Sequence, residues 1–264
     1  MELIKQLREM TGAGIVDCKK ALVEANNDLQ KAIDILRKKG ISKAAKRGDR
    51  ETTEGLVKLA ISPAGDEAYV FTLTSETDFV SRNDKFKAFA DEVMALVLSE
   101  HPVDLASLLA LPMAQGSIQE SLASLSGTIG EKMDITRYEI IRGSSLAAYS
   151  HLGGKLGVLV ALDTPDKNDL AMDIAMQVAA ANPKYLESSE IEQADMDREK
   201  DIYREQLLKE GKPEAMIEKI LEGKMAKYYS EVCLVEQEYI KDDKKKVKDI
   251  LDGAKILAFV RFSL

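Results

Sequence analysis

The chain has 264 residues, enough for two or three domains. Apolar residues make up 45% and charged residues 31%, an ordinary globular composition with enough apolar surface for real cores. A net charge of −8 argues against sequence-independent nucleic-acid binding by the whole surface, and no apolar run approaches the roughly 20 residues that span a bilayer. Cys18 and Cys233 are the only cysteines and form no C-x-x-C pair. No disulfide framework is expected, and a reducing, cytoplasmic setting is the default. His101 and His151 complete a set whose spacing fits no common zinc site, so no metal or other cofactor is expected.

Residues 1–40 predict three short helices. Residues 1–10 intersperse apolar residues with Glu2, Lys5, Arg8 and Glu9, which suits a helix and not a signal peptide. Thr11-Gly12-Ala13-Gly14 breaks this helix. The second helix sets Ile15, Cys18, Ala21, Leu22 and Ala25 on one stripe. Asn27 and Gln30 have capping-box spacing for the third, with Gly40 as its expected C-terminal stop. A unit this small has a marginal core, so it needs a neighbour or a minimal design. Residues 41–54 are polar and mixed in charge, and predict a linker.

From Gly55 the apolar period changes to two. Residues 55–61 and 68–73 flank Ser62-Pro63-Ala64-Gly65-Asp66 and predict a β-hairpin. Thr74 to Asn83 reads as a loop holding Thr77-Asp78-Phe79-Val80. Two readings of Phe79 compete there. Most aromatics are core residues, which favours a phenylalanine turned inward beside a capping Asp78. The other reading is a carboxylate beside an exposed apolar wedge. The next helix carries Phe86, Phe89, Ala90, Val93, Met94 and Val97 on one face and ends at Pro102. Helices near 104–110 and 117–126 and a strand over 134–141 follow.

The second half begins the same way. Leu146–His151 and Leu156–Leu162 predict another hairpin, and a helix through Leu170, Ile174, Val178 and Ala181 follows. Hairpin, connection and amphipathic helix therefore occur twice, an internal structural repeat of low sequence identity. The first connection, Thr74 to Asp84, is longer than the second, Asp163 to Asp169. Thr77 to Val80 lie in the excess, and loop length that the fold does not require is more often functional. Residues 190–229 predict a protruding helical hairpin broken at Gly211-Lys212-Pro213. Strands near 231–240 and 255–264 are expected around a short helix near 244–252, and the final strand leaves no tail.

No motif for catalysis stands out. Gly127 to Lys132 lacks phosphate-loop spacing and reads as a helix end, and neither H-E-x-x-H nor G-x-S-x-G occurs. The chain reads as a non-enzyme that acts by touching another macromolecule.

Two stretches carry a specific resemblance. They are Leu7-Arg8-Glu9-Met10-Thr11-Gly12-Ala13-Gly14-Ile15-Val16-Asp17-Cys18-Lys19-Lys20-Ala21-Leu22 and Glu76-Thr77-Asp78-Phe79-Val80. In this order and spacing they resemble the bacterial translation elongation factor Ts family, and the similarity extends over essentially the whole chain. The resemblance implies an α+β fold: an N-terminal three-helix domain similar to ubiquitin-associated domains, then a core of two repeated α+β subdomains with antiparallel sheets. The corresponding boundaries are 1–40, a linker 41–54, 55–142, and 143–264 with the helical hairpin near 190–229. It implies a guanine-nucleotide exchange factor for the GTPase elongation factor Tu. Phe79 would wedge into an apolar pocket of that partner, with Asp78 beside it and the partner's Mg²⁺ site disturbed. Arg8, Ile15, Val16 and Lys19, the Thr77 and Val80 flanks of the wedge, Ile129, Gly130 and His151 are the further contacts it implies. The family often has Met-Met where this chain has Ile15-Val16, and β-branched side chains adapt less than Met. The other function considered is an adaptor or chaperone that binds a partner through the N-terminal helices without releasing nucleotide. The hairpin at 190–229 is a candidate for self-association.

Overall fold

A computed structural model describes residues 1–45, 47–113 and 116–264; Lys46 of the expected linker lies outside them. The chain opens with α1 (Glu2–Thr11), α2 (Ile15–Glu24) and α3 (Leu29–Ala45) around Leu7, Cys18, Ala21, Leu22, Ala25 and Ala32. Gly12 closes α1 in the left-handed region at φ 69°, where its N–H donates to the Arg8 carbonyl. Two expectations shift here. Asn26 and Asn27 both take positive φ, and Asp28 caps α3 by accepting from Lys31 N at 3.1 Å. Nor does α3 stop at Gly40. It continues to Ala45 because Gly40 is a crossing point and not a terminus.

Next come β1 (Glu54–Ile61) and β2 (Glu67–Ser75), then α4 (Asp78–Ser81), α5 (Asp84–Glu100) and α6 (Leu105–Ala110). A two-residue pair, β3 (Pro112–Met113) and β4 (Gly116–Ser117), leads to α7 (Ile118–Ile129) and β5 (Met133–Arg142). The second half holds β6 (Ser145–His151), β7 (Leu156–Leu162), α8 (Asn168–Ala181), α9 (Gln193–Lys209) and α10 (Glu214–Val232). Two small strands, β8 (Glu238–Tyr239) and β9 (Asp242–Lys246), precede β10 (Ile256–Ser263). The expected strand near 231–240 is therefore mostly the end of α10 and a single 3₁₀ turn. The expected helix near 244–252 is β9 followed by a 3₁₀ turn over Val247–Ile250. The charged run Asp242 to Lys246 has no apolar face for a helix to bury, but it pairs as an edge ribbon.

Both large sheets are three-stranded and antiparallel, in the orders β1-β2-β5 and β10-β7-β6. Each is a hairpin whose second strand also pairs with a strand that returns after intervening helices. One face of the first sheet packs on α5, α6 and α7 through Tyr69, Phe71, Leu73, Phe86, Val93 and Leu108. The second sheet is backed by α8 through Val158, Val160, Ile174 and Val178. The free faces then meet, and Val57, Val70, Ile141, Leu146, Leu159 and Phe262 form a shared layer drawn from all six strands. Contact is close there: a Cβ on Gly157 would lie 2.5 Å from Val57 Cγ1 and 2.8 Å from Leu59 Cδ2. The core is thus four layers, helix on sheet on sheet on helix.

The N-terminal helices lean on this core where α3 crosses α7. A Cβ on Gly127 would lie 2.4 Å from the Gly40 Cα, so Gly127 is needed for the backbones to approach, whereas a Cβ on Gly40 would find its nearest neighbour, the Ser124 carbonyl oxygen, at an ordinary 3.6 Å. Arg37 and Glu120 pair across the crossing at 2.9 Å. α9 and α10 pack chiefly against each other through Leu207, Ile217, Leu221 and Met225. Among the described residues, no helix is long and apolar enough to cross a membrane.

Candidate functional site

Thr77-Asp78-Phe79-Val80 stands at the end of the first sheet where β2 finishes and β5 begins, with Ser75 opposite Met133. The excess chain here is not an open loop. It folds into the single turn of α4, whose four residues divide between two environments. Val80 is 7% exposed and joins the α5 core cluster, and Ser81 is buried beside it. Phe79 is 83% exposed. Of the two readings of Phe79, this exposure fits the outward one expected from the excess loop and the resemblance, because a helical turn sends successive side chains about 100° apart and the core side belongs to Val80. Val80, expected with the contact residues, is buried and anchors the turn. Asp78 is half-buried and pairs with Arg82 at 3.0 Å, one turn along.

A set of hydrogen bonds holds the turn from the other side. The Thr77 N–H donates to Glu131 Oε2 at 3.0 Å, and the Thr77 hydroxyl donates to Glu131 Oε1 at 2.8 Å. In return, the Lys132 N–H donates to the Glu76 carboxylate, which also accepts from Arg50 at 3.1 Å. These donors hold the Glu76 carboxyl below its usual range, Lys132 N–H first and Arg50 after it. Lys132 Nζ reaches back to the Gly48 and Arg50 carbonyls at 2.7 and 2.9 Å.

This brings a second predicted segment to the first. Gly130, at φ 98°, ends α7 in the left-handed region, and its N–H donates to the Ser126 carbonyl. Ser126 is buried, and its hydroxyl donates to the Glu131 carbonyl at 2.5 Å. Gly130 is exposed, and Ile129 packs partly against the α5 cluster. So Gly127 to Lys132 is a helix end, as its spacing implied.

The N-terminal segment arrives through the turn between α1 and α2. A Cβ on Gly12 would meet Lys85 Nζ at the start of α5 and lie 3.3 Å from Thr128 Cγ2 at the end of α7. Arg8 and Lys19 are exposed, as are Ile15 at 57% and Val16 at 65%. Ile15 therefore does not share the stripe of Cys18, Ala21 and Leu22. It is the first residue of α2, directly after Gly14, and lies beyond the edge of this small core. The fourth segment, His151, ends β6 opposite Leu156. Its exposed ring stacks on Tyr149 at 5.7 Å, and Nδ1 lies 2.9 Å from the Tyr149 hydroxyl. Its turn is tied to the same end of the first sheet by Lys155 and Glu54, 2.8 Å apart.

The family described as Elongation factor TS matches residues 76–264. A relative, elongation factor Ts of Desulfovibrio desulfuricans, is 44% identical over 262 residues, covering 95% of this chain and 90% of the relative.

The chain belongs to the elongation factor Ts family.

The family is the nucleotide-exchange factor for elongation factor Tu in translation elongation, and it is not an enzyme. The factor must alter a partner's affinity for nucleotide, and no bond is made or broken on its own side chains. What sequence reasoning missed was the fastening. Glu76, Glu131, Lys132 and Arg50 had no assigned role, although Glu131 follows directly on the Ile129-Gly130 pair.

Proposed function

We propose that Asp78 and Phe79 are the working tip of this exchange factor, and that the tip enters elongation factor Tu close to its Mg²⁺ and phosphate site. The observation that carries the reading is Phe79, a large aromatic left 83% exposed on a turn whose neighbour Val80 is buried. Single exposed apolar residues are common, and what sets Phe79 apart is a full aromatic ring, the residue type that anchors interfaces, held outward on a fixed turn. The physical logic is linkage. A factor that binds the empty GTPase more tightly than the loaded one must lower nucleotide affinity by the same ratio. Wedging apolar bulk beside the metal site and setting a carboxylate next to the phosphates both act in that direction.

Arg8, Ile15, Val16 and Lys19 supply docking contacts on the same reading, and Ile129, Gly130 and His151 add to them from the core. The chain divides into the three-helix unit resembling ubiquitin-associated domains, expected over 1–40 but carried by α3 to Ala45, a linker that is correspondingly shorter than the expected 41–54 and ends where β1 begins at Glu54, and two copies of one α+β unit over 55–142 and 143–264. The shared topology of the two large sheets supports that repeat. Work on a translational GTPase places the protein in the cytoplasm. The α9–α10 hairpin, with exposed Ile202, Leu208 and Met216, is the surface for self-association, which sedimentation with and without the hairpin tests.

The deciding experiment is release of fluorescent GDP from purified elongation factor Tu. The chain accelerates release, and Phe79→Ala slows it by about tenfold or more, the effect of removing a central aromatic contact. Release by Phe79→Ala at the unaltered rate removes the tip from the mechanism.

A further inference from the structure

We propose that Glu131 is a positioning residue for nucleotide exchange: its carboxylate fixes the angle at which α4 presents Asp78 and Phe79. This rests on the working-tip reading of those two residues and adds the element that aims them.

Four observations carry it. α4 has only four residues, too few to hold a helical turn by its own hydrogen bonds. Its C-terminal side is anchored by burial of Val80 and Ser81, whose hydroxyl donates to the Asp78 carbonyl at 3.0 Å; at its N-terminal side the Ser75 hydroxyl donates to the Thr77 carbonyl at 3.0 Å, a single local bond between the end of β2 and the turn. Thr77 stands at the N-cap position, yet its side chain does not cap α4. Threonine is favoured there because its oxygen can accept from the helix it precedes. Here the Thr77 hydroxyl and N–H are both turned outward to the two oxygens of Glu131, at 2.8 and 3.0 Å. The natural local use of the residue has been given up for a long-range, two-point attachment. Two bonds to one planar carboxylate restrain rotation, which one bond cannot do.

The other end of the attachment is itself fixed. Glu131 follows Gly130, the left-handed cap of α7, and its carbonyl accepts from buried Ser126. Glu76 and Lys132 repeat the link in the opposite direction. The tip and the Ile129-Gly130 turn thus move as one body, although more than fifty residues separate them. A misplacement of about 1 Å at such a tip lowers a rate by up to about 100-fold without removing any contact residue.

The test separates aim from docking and from folding. Exchange is measured as GDP release at increasing factor concentration, which yields a limiting rate and a half-saturating concentration. Glu131→Ala is expected to lower the limiting rate by about tenfold, with the half-saturating concentration within about twofold of wild type, because the docking residues on α1 and α2 are untouched and the Ile129-Gly130 turn keeps its backbone bonds to Ser126. Glu131→Gln restores most of the rate. Its amide oxygen accepts the Thr77 N–H and its NH₂ donates to the Thr77 oxygen, so the two-point attachment survives without charge. Thr77→Val, which keeps the shape and removes the hydroxyl, lowers the limiting rate less than Glu131→Ala. Combined with Glu131→Ala it adds nothing further.

A limiting rate unchanged in Glu131→Ala overturns the proposal. So does a Glu131→Gln protein that melts like wild type but is as slow as Glu131→Ala, since charge and not aim would then be at work. If Glu131→Ala does not fold, Thr77→Val alone decides by the same limiting rate, and no change in it overturns the proposal. Phe79→Ala is run alongside. If it exchanges normally, the tip reading itself has failed. If it is slow while Glu131→Ala is fast, only the positioning role has failed.

Discussion

Phe79 and Val80 are adjacent and have opposite tasks, and stability measurements should tell them apart. Val80→Ala deletes two buried methyl groups from the α5 cluster, which costs about 2 kcal/mol in chemical denaturation. Phe79→Ala removes an exposed ring and should change stability by less than about 0.5 kcal/mol. The reverse order would put Phe79 in the core. At the far end of the same strand, Glu67 is the most strongly shifted carboxylate. The Tyr69 hydroxyl, then Arg142 at 2.7 Å and His101 at 3.0 Å, lower it from 4.5 to about 2. A depressed carboxyl pKa contributes stability that is fully present above about 4.5 and is lost as pH falls toward 2. Glu67→Gln should therefore be less stable than wild type at pH 7, with the gap narrowing between pH 4.5 and 2. A gap that does not narrow on acid titration means that the bonds to Glu67 are not linked to its ionisation.

At the scale of elements, the close attachment of the N-terminal helices depends on Gly127, which packs directly on the Gly40 backbone. Gly40 in α3 and Gly127 in α7 let the backbones cross without a side chain between them. Gly127→Ala gains about 1 kcal/mol in helix propensity but must push the helices apart, at a cost of about 1–3 kcal/mol. The measurable outcome is selective. Amides of α1 to α3 should lose hydrogen-exchange protection while those of β2 and β7 keep theirs. Equal loss everywhere would mean that the crossing holds the whole chain and not one attachment. Reading Gly40 as a stop was reasonable from the sequence, since glycine ends many helices. What reverses it is a neighbour 87 positions away, which no local pattern contains.

For the molecule as a whole, the sheet-on-sheet layer is the main determinant of cooperativity. Phe262 is fully buried in it, and the Arg137 guanidinium lies 3.7 Å from its ring centroid. Phe262→Ala should cost about 3–5 kcal/mol, and both sheets should lose protection together, because all six strands contribute to that layer. Loss confined to the second sheet would show that the two halves unfold as separate units. The layer had a signature that went unread. Ala68 to Leu73 and Leu156 to Leu162 are nearly continuous apolar runs, the pattern of strands covered on both faces, whereas a hairpin with one wet face alternates.

Periodicity and punctuation alone determined most of the elements: the three N-terminal helices, both hairpins, the Phe86 to Val97 helix face and the break at Gly211-Lys212-Pro213. Those are properties of residues within one or two turns of each other, and local spacing records them. The motif pair around Gly12 and Phe79 likewise determined the family. Tertiary structure alone decided that Val80 and not Phe79 anchors the turn, that Gly40 is a crossing point, that the two sheets share one layer, and that Glu131 fastens Thr77. Each of these depends on a partner distant in sequence, and side-chain burial and hydrogen-bond pairing are settled only when the folded chain brings such partners together.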